Sequence, residues 1–125
     1  MNTQQVAKRL VELCRIGKFS QAQEELYADD AVSQEPPGSP SGPLGSVRGM
    51  DAIREKSRAF DATYETIHGI TVSDPLVAGN FFSVVMGMDV TWRQRGRAAI
   101  EEICVYEVRN GKIVLEQFFY SLPPS

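Results

Sequence analysis

Val105-Tyr106-Glu107-Val108-Arg109-Asn110-Gly111-Lys112-Ile113-Val114-Leu115 reads as two β-strands joined by a two-residue turn. Asn-Gly supplies the positive φ that such a hairpin needs, and apolar residues alternate on either side of it. The incoming strand extends back to Ala98 and the outgoing strand forward to Ser121. Upstream, Gln94-Arg95-Gly96 marks another hairpin, which follows a long strand from Phe81 to Arg93. Turn signals at Gly79-Asn80 and near Asp74-Pro75 precede that strand, and Ile67 to Asp74 predicts one more. A period of two thus governs the chain from Tyr64 onward.

The first half has a different period. Thr3 can cap a helix with Val6, Leu10, Leu13 and Cys14 on one face, ending at Gly17. Ser20 and Gln23 form a capping-box pattern for a second helix with Ala22, Leu26 and Tyr27. A short strand from Ala31 to Glu35 follows, and then a breaker-rich loop, Pro36 to Gly45. Met50, Ile53, Ser57 and Phe60 lie at helical spacing in a third helix that starts at Gly49 or Met50. Three helices before a run of long antiparallel strands predict an α+β domain. The strands curl and the helices cover the concave side, leaving a cavity open at one end.

A chain of 125 residues makes one domain, 1–125. A domain of that length buries about two-thirds of the surface that its unfolded form exposes. The formal net charge of -3 argues against a nucleic-acid partner, and no apolar run approaches a membrane span. Met1 to Gln5 has no positive flank and no long apolar stretch. It therefore predicts no signal peptide and a cytoplasmic protein. Cys14 and Cys104 match no metal or disulfide spacing and are expected as buried free thiols. With a single histidine and no glycine-rich phosphate loop after a strand, neither a metal nor an organic cofactor is expected.

Strand parity assigns faces. His68, Ile70 and Val72 share the inward side of one strand, and Met86, Met88 and Trp92 that of the next. Glu102, Cys104 and Tyr106, then Val114, Glu116, Phe118 and Tyr120, share the inward side of the last two. Their outward side carries a second apolar stripe, Ile103, Val105, Ile113, Leu115 and Phe119. No helix remains to cover that stripe, so a homodimer is expected.

The order of elements resembles the nuclear-transport-factor-2-like superfamily, and within it the SnoaL-like group, named for a polyketide cyclase. The stretches that carry the likeness are Tyr27-Ala28-Asp29-Asp30-Ala31, Glu35-Pro36, Gly49-Met50-Asp51-Ala52-Ile53-Arg54 and Val108 to Val114. The resemblance covers nearly the whole chain. It implies a cone-shaped, cystatin-like α+β barrel that is usually dimeric, on which isomerases, cyclases, lyases and non-catalytic modules occur. Asp29 to Pro36 also resembles the base-carrying segment of ketosteroid isomerases, with Glu35 at the position of their aspartate. The positions of those enzymes' oxyanion tyrosine and protonated aspartic acid fall on Leu10 and Cys104. Without those donors an enolate is not stabilised in the same way, which argues against ketosteroid isomerisation.

The candidate catalytic groups are therefore Glu35 at the rim, with His68 and Glu102 facing inward. Buried carboxylates are costly unless paired, so an inward cluster of them calls for an account. Met86, Met88, Tyr106, Glu116, Phe118 and Tyr120 are the expected ligand-binding wall. Two function classes follow. One is a cofactor-free cyclase or isomerase that moves protons on a small apolar carbonyl compound. The other is a small-ligand-binding or protein-association module without chemistry.

Overall fold

Asn2, rather than Thr3, starts the first helix. Its side chain accepts from the Gln5 backbone at 2.8 Å, and its own N–H donates to the Gln5 side chain at 2.9 Å. This reciprocal pair satisfies donors that a helix start leaves open. Helix α1 (Thr3–Arg15) then buries Val6, Ala7, Leu10, Val11, Leu13 and Cys14 along one stripe. Helix α2 (Phe19–Leu26) begins at Lys18 with no side-chain cap, so the box expected from Ser20 and Gln23 does not form. Gln23 instead accepts from the Ser57 hydroxyl of α3 (Met50–Asp61) at 3.0 Å, which ties the second helix to the third.

The computed structural model describes residues 1–121, so positions 122–125 of the expected domain lie outside the described residues. Seven strands form one sheet. They are β1 (Tyr27–Gln34), β2 (Val47–Arg48), β3 (Tyr64–Val72), β4 (Leu76–Ala78), β5 (Phe81–Trp92), β6 (Gly96–Arg109) and β7 (Lys112–Phe119). Their order is β2-β1-β7-β6-β5-β3, with β4 also paired to β5. All pairings are antiparallel except β1 with β7. The sheet curves but does not close, so the expected barrel is open, with β2 and β3 at its edges. The short strands β2 and β4 were not legible as strands in the sequence, and β1 begins four residues earlier than its β-branched stretch suggests.

Two bulges correct the parity reading. In β3, Ile67 pairs with Val90 and Gly69 with Asp89, which leaves His68 as an extra residue. A bulge of this kind turns the side chains after it to the other face. Ile67 and Ile70 consequently pack inward around Met88, Val90 and Trp92, while His68 is exposed. In β7, Ile113 pairs with Val108 and Leu115 with Glu107, which leaves Val114 as the extra residue. Ile113 is therefore wholly buried rather than part of the outward stripe.

The main core lies between α1, α2 and the concave face, and includes Leu10, Leu26, Phe82, Cys104 and Tyr106. Phe82 and Tyr106 stack with ring centroids 4.7 Å apart. On the convex face Phe81, Val85, Ile103 and Phe119 remain exposed. No helix among the described residues is long and apolar enough to cross a membrane.

The β7 bulge makes neighbouring positions unequal. Ile113→Ala should lower the unfolding free energy by about 2–4 kcal/mol, as a buried truncation does, and Val114→Ala by about 1 kcal/mol or less. Urea denaturation of both variants measures the difference.

Candidate functional site

Side chains on the concave face are fully buried at one end and partly exposed at the other, its open end. Along β6 the inward residues Val108, Tyr106 and Cys104 are buried, but Glu102 and Ile100 are only partly so. Along β7, Ile113 and Glu116 are buried, whereas Phe118 and then Tyr120, just beyond the strand, are partly exposed. Helix α3 leans over this open end from the β1 side, packing chiefly on β1 and β2. Met50 and Ile53 are its buried residues. Lys56 and Phe60, further along the same face, reach over the gap and are only partly buried.

A continuous polar chain crosses this end. Lys56 donates from Nζ to Glu35 Oε2 at 2.7 Å and to Ser33 Oγ at 2.9 Å. The Tyr120 hydroxyl donates to the other oxygen of Glu35. Ser33 is wholly buried and stands beside Glu116 in the β1–β7 register, and Glu116 accepts from the hydroxyl of Tyr27. The local sequence explains the assembly. Ala31, Ser33 and Glu35 alternate onto one side of β1, and the parallel register sets Ser33 beside Glu116 of β7. Past the strand, the Glu35 backbone N–H is fixed by Ser46 Oγ at 2.9 Å, which closes the Pro36–Gly45 loop on itself.

Glu102 belongs to the same neighbourhood but is held differently. Its nearest polar partner is the Cys104 thiol at 3.5 Å. Burial pushes its carboxyl up to about 7. The thiol and Lys56 oppose that rise, while the charges of Glu35 and Glu116 add to it. Burial likewise raises Glu116, against the hydroxyls of Ser33 and Tyr27. Tyr120 is pushed up to about 12, first by burial and then by its bond to Glu35. Three carboxylates thus share the field of one ammonium, and the least well paired of them titrates near neutrality.

The expected site residues are not all brought together. Glu35, Glu102, Glu116, Phe118 and Tyr120 meet at the open end. His68 does not, because the β3 bulge turns it to the convex side, where Nε2 lies 2.6 Å from Thr91 Oγ1. Met86 and Tyr106 are packed in the main core, and Met88 in a second cluster with Val90 and Trp92. That second cluster holds the edge-to-face pair Phe60–Trp92, with centroids 6.0 Å apart. Two surface hollows lie elsewhere. One, of about 500 Å³, borders Met1 and the Asn110-Gly111 turn. The other, of about 670 Å³, lies on the convex side between Arg48, Arg109 and Lys112. Among the described residues no group of three or more His, Cys, Asp or Glu is placed to hold a metal ion.

Sequence reasoning missed Lys56, Ser33 and Tyr27. A signal for Lys56 was present, since it stands three residues after Ile53 on the apolar stripe of α3, an unusual place for a charge. Ser33 and Tyr27 carried none, because their importance comes from the register of β1 on β7.

Glu102 has a consequence for stability. Its folded value, near 7, lies above its ordinary value of 4.5, so the folded state holds this proton more tightly than the unfolded state. The group's contribution is complete below about pH 4.5 and is lost as pH rises through about 7. Glu102→Gln removes this loss. Relative to the parent, the variant should gain on the order of 1–3 kcal/mol between about pH 5 and pH 8, the lower figure reflecting partial exposure of the site. Urea titrations at the two pH values test it.

Several solved structures share this architecture. One is a protein from Mesorhizobium loti provisionally assigned as a SnoaL-like polyketide cyclase. It is 36% identical, with a TM-score of 0.86 over 96% of this chain and 100% of that one. A protein from Catenulispora acidiphila with a ketosteroid isomerase-like fold, in complex with trimethylamine, is 18% identical, with a TM-score of 0.71 over 97% and 88%. TerC, co-crystallised with polyporic acid, is 15% identical, with a TM-score of 0.75 over 94% and 89%. No curated protein matches the chain. The family model for the SnoaL-like domain matches residues 1–120, and the chain therefore belongs to the SnoaL-like domain family.

Proposed function

We propose that this protein binds a small apolar carbonyl compound at the open end of its concave sheet and moves a proton on it, without a cofactor. The observation that carries this reading is Glu102, a half-buried carboxyl without a cationic partner of its own, titrating near 7. A general base works best when its proton affinity matches the operating pH. Glu35 is less suited to that task, because Lys56 and Tyr120 already occupy both of its oxygens. The aromatic faces of Phe60, Phe118 and Tyr120 would hold the apolar body of the ligand. That two relatives of the same fold hold trimethylamine and polyporic acid supports small-ligand binding.

In the proposed step the Glu102 carboxylate takes a proton from the carbon next to the carbonyl. The C–H electron pair moves into the carbonyl, forming an enolate. Return of the proton to another carbon gives isomerisation. Attack of the enolate carbon on a second carbonyl of the same molecule gives ring closure, and the resulting alkoxide takes the proton back from Glu102.

The non-catalytic reading draws support from the close packing of Phe82 on Tyr106 and of Phe60 on Trp92. We also propose that the convex face pairs with a second copy. Ile103 lies opposite Phe119 on one side and Val85 on the other, which makes an exposed apolar patch across three strands.

Glu102→Gln should cut turnover on a cyclisable diketone by about a hundredfold or more, with binding retained. His68→Ala should leave it unchanged. Unaltered turnover in Glu102→Gln would favour the non-catalytic reading. Val105→Arg, two residues along β6 from Ile103 on the same face, should shift the protein from dimer toward monomer at micromolar concentration, as light scattering would show.

A further inference from the structure

Enolate chemistry needs a donor for the developing oxyanion, and the positions that the ketosteroid isomerase resemblance implies for one hold Leu10 and Cys104, both buried in the core. Lys56 has what those positions lack. An ammonium carries three hydrogens. Among the described residues, two of them are accounted for, by Glu35 and Ser33. The side chain is 12% exposed, so the third hydrogen has little access to bulk water. Nζ lies 5.4 Å from the centroid of Phe118, on the wall of the open end. The groups facing it are Ser33 from β1 and Glu35 just past its end, Glu116 from β7 and Tyr120 just past its end, and Glu102 from β6.

We propose that Lys56 is a catalytic residue whose third hydrogen binds the carbonyl oxygen of the ligand and stabilises it as an enolate. Glu35 and Ser33 act as positioning residues that hold the ammonium. The inference rests on the reading of Glu102 as the base, and it narrows the ligand class to compounds whose carbonyl ionises to an enolate or whose oxygen is already phenolic. Fixed donors aimed at developing charge in a water-poor site need no reorganisation during the reaction, which makes such a donor effective. Glu102 and Lys56 then divide the work, one taking the proton and the other the charge left behind. The other carboxylates limit the arrangement. They disfavour a ligand that carries a second negative charge.

The test uses 4-nitrophenol, a flat ring with an ionisable oxygen whose anion absorbs visible light. Titrations run at about pH 6, where the Glu102 carboxyl is largely protonated and adds no charge. Bound to the parent protein, the probe should ionise at a pH lower by about one unit or more than in solution. Lys56→Met should abolish that shift and weaken binding tenfold or more, and Lys56→Arg should keep much of it. Binding with unshifted ionisation in the parent protein overturns the role of Lys56 whether or not the Met variant folds, and leaves the pocket reading standing. An equal shift in a folded Lys56→Met variant overturns it too. If neither the phenol nor its anion binds the parent protein at millimolar concentration, the proposal and the pocket reading fall together.

Discussion

The parallel pairing of β1 with β7 is the constraint on which the rest of the molecule depends. Every other pairing in the sheet is antiparallel. A parallel neighbour needs a crossover, and here the crossover is most of the chain, from the loop after β1 through α3 and the β3–β6 meander. This crossover carries α3 over the partly exposed end of the concave face. It also brings Ser33 beside Glu116, and Glu35 to Tyr120. The fold and the polar chain at its open end are therefore products of one register.

Within that frame, charge is distributed unevenly. Lys56 is the cation that balances Glu35, Glu102 and Glu116. Two of the three carboxylates have strong donors, Glu35 from Lys56 and Tyr120, and Glu116 from Tyr27. Glu102 has a thiol. Burial raises the proton affinity of this poorly paired group to about 7, and it lies where the side chains of the concave face become partly exposed.

Much of this was legible in the sequence. The Asn110-Gly111 hairpin, the long strands and the three helical stripes follow from turn chemistry and hydrophobic period, and both are local. The inward placement of Glu102, Glu116 and Phe118 followed from parity. His68 and Ile113 did not, because a bulge inserts one residue and reverses the alternation beyond it. No local signal marked either bulge. Tyr27 and Ser33 were invisible for a related reason, since their partners are some ninety residues away. Leu10 and Cys104, set against the ketosteroid isomerase pattern, are core residues as their apolar character implies.

The way α3 is attached has a consequence for motion. Its first half is anchored by Met50 and Ile53, but its second half has no fully buried side chain. That half is tied by Arg54 to Glu24, Ser57 to Gln23, and Lys56 to Ser33 and Glu35, with Phe60 resting on Trp92. Lifting it exposes little apolar surface and leaves the main core intact, so it is a sub-global opening that costs much less than unfolding the domain. The exposed Arg54–Glu24 tie exchanges readily with water and weakens in salt, whereas the buried Lys56–Glu35 pair is screened much less. The end of α3 can therefore loosen turn by turn from Asp61 backward, while the sheet beneath keeps its buried core.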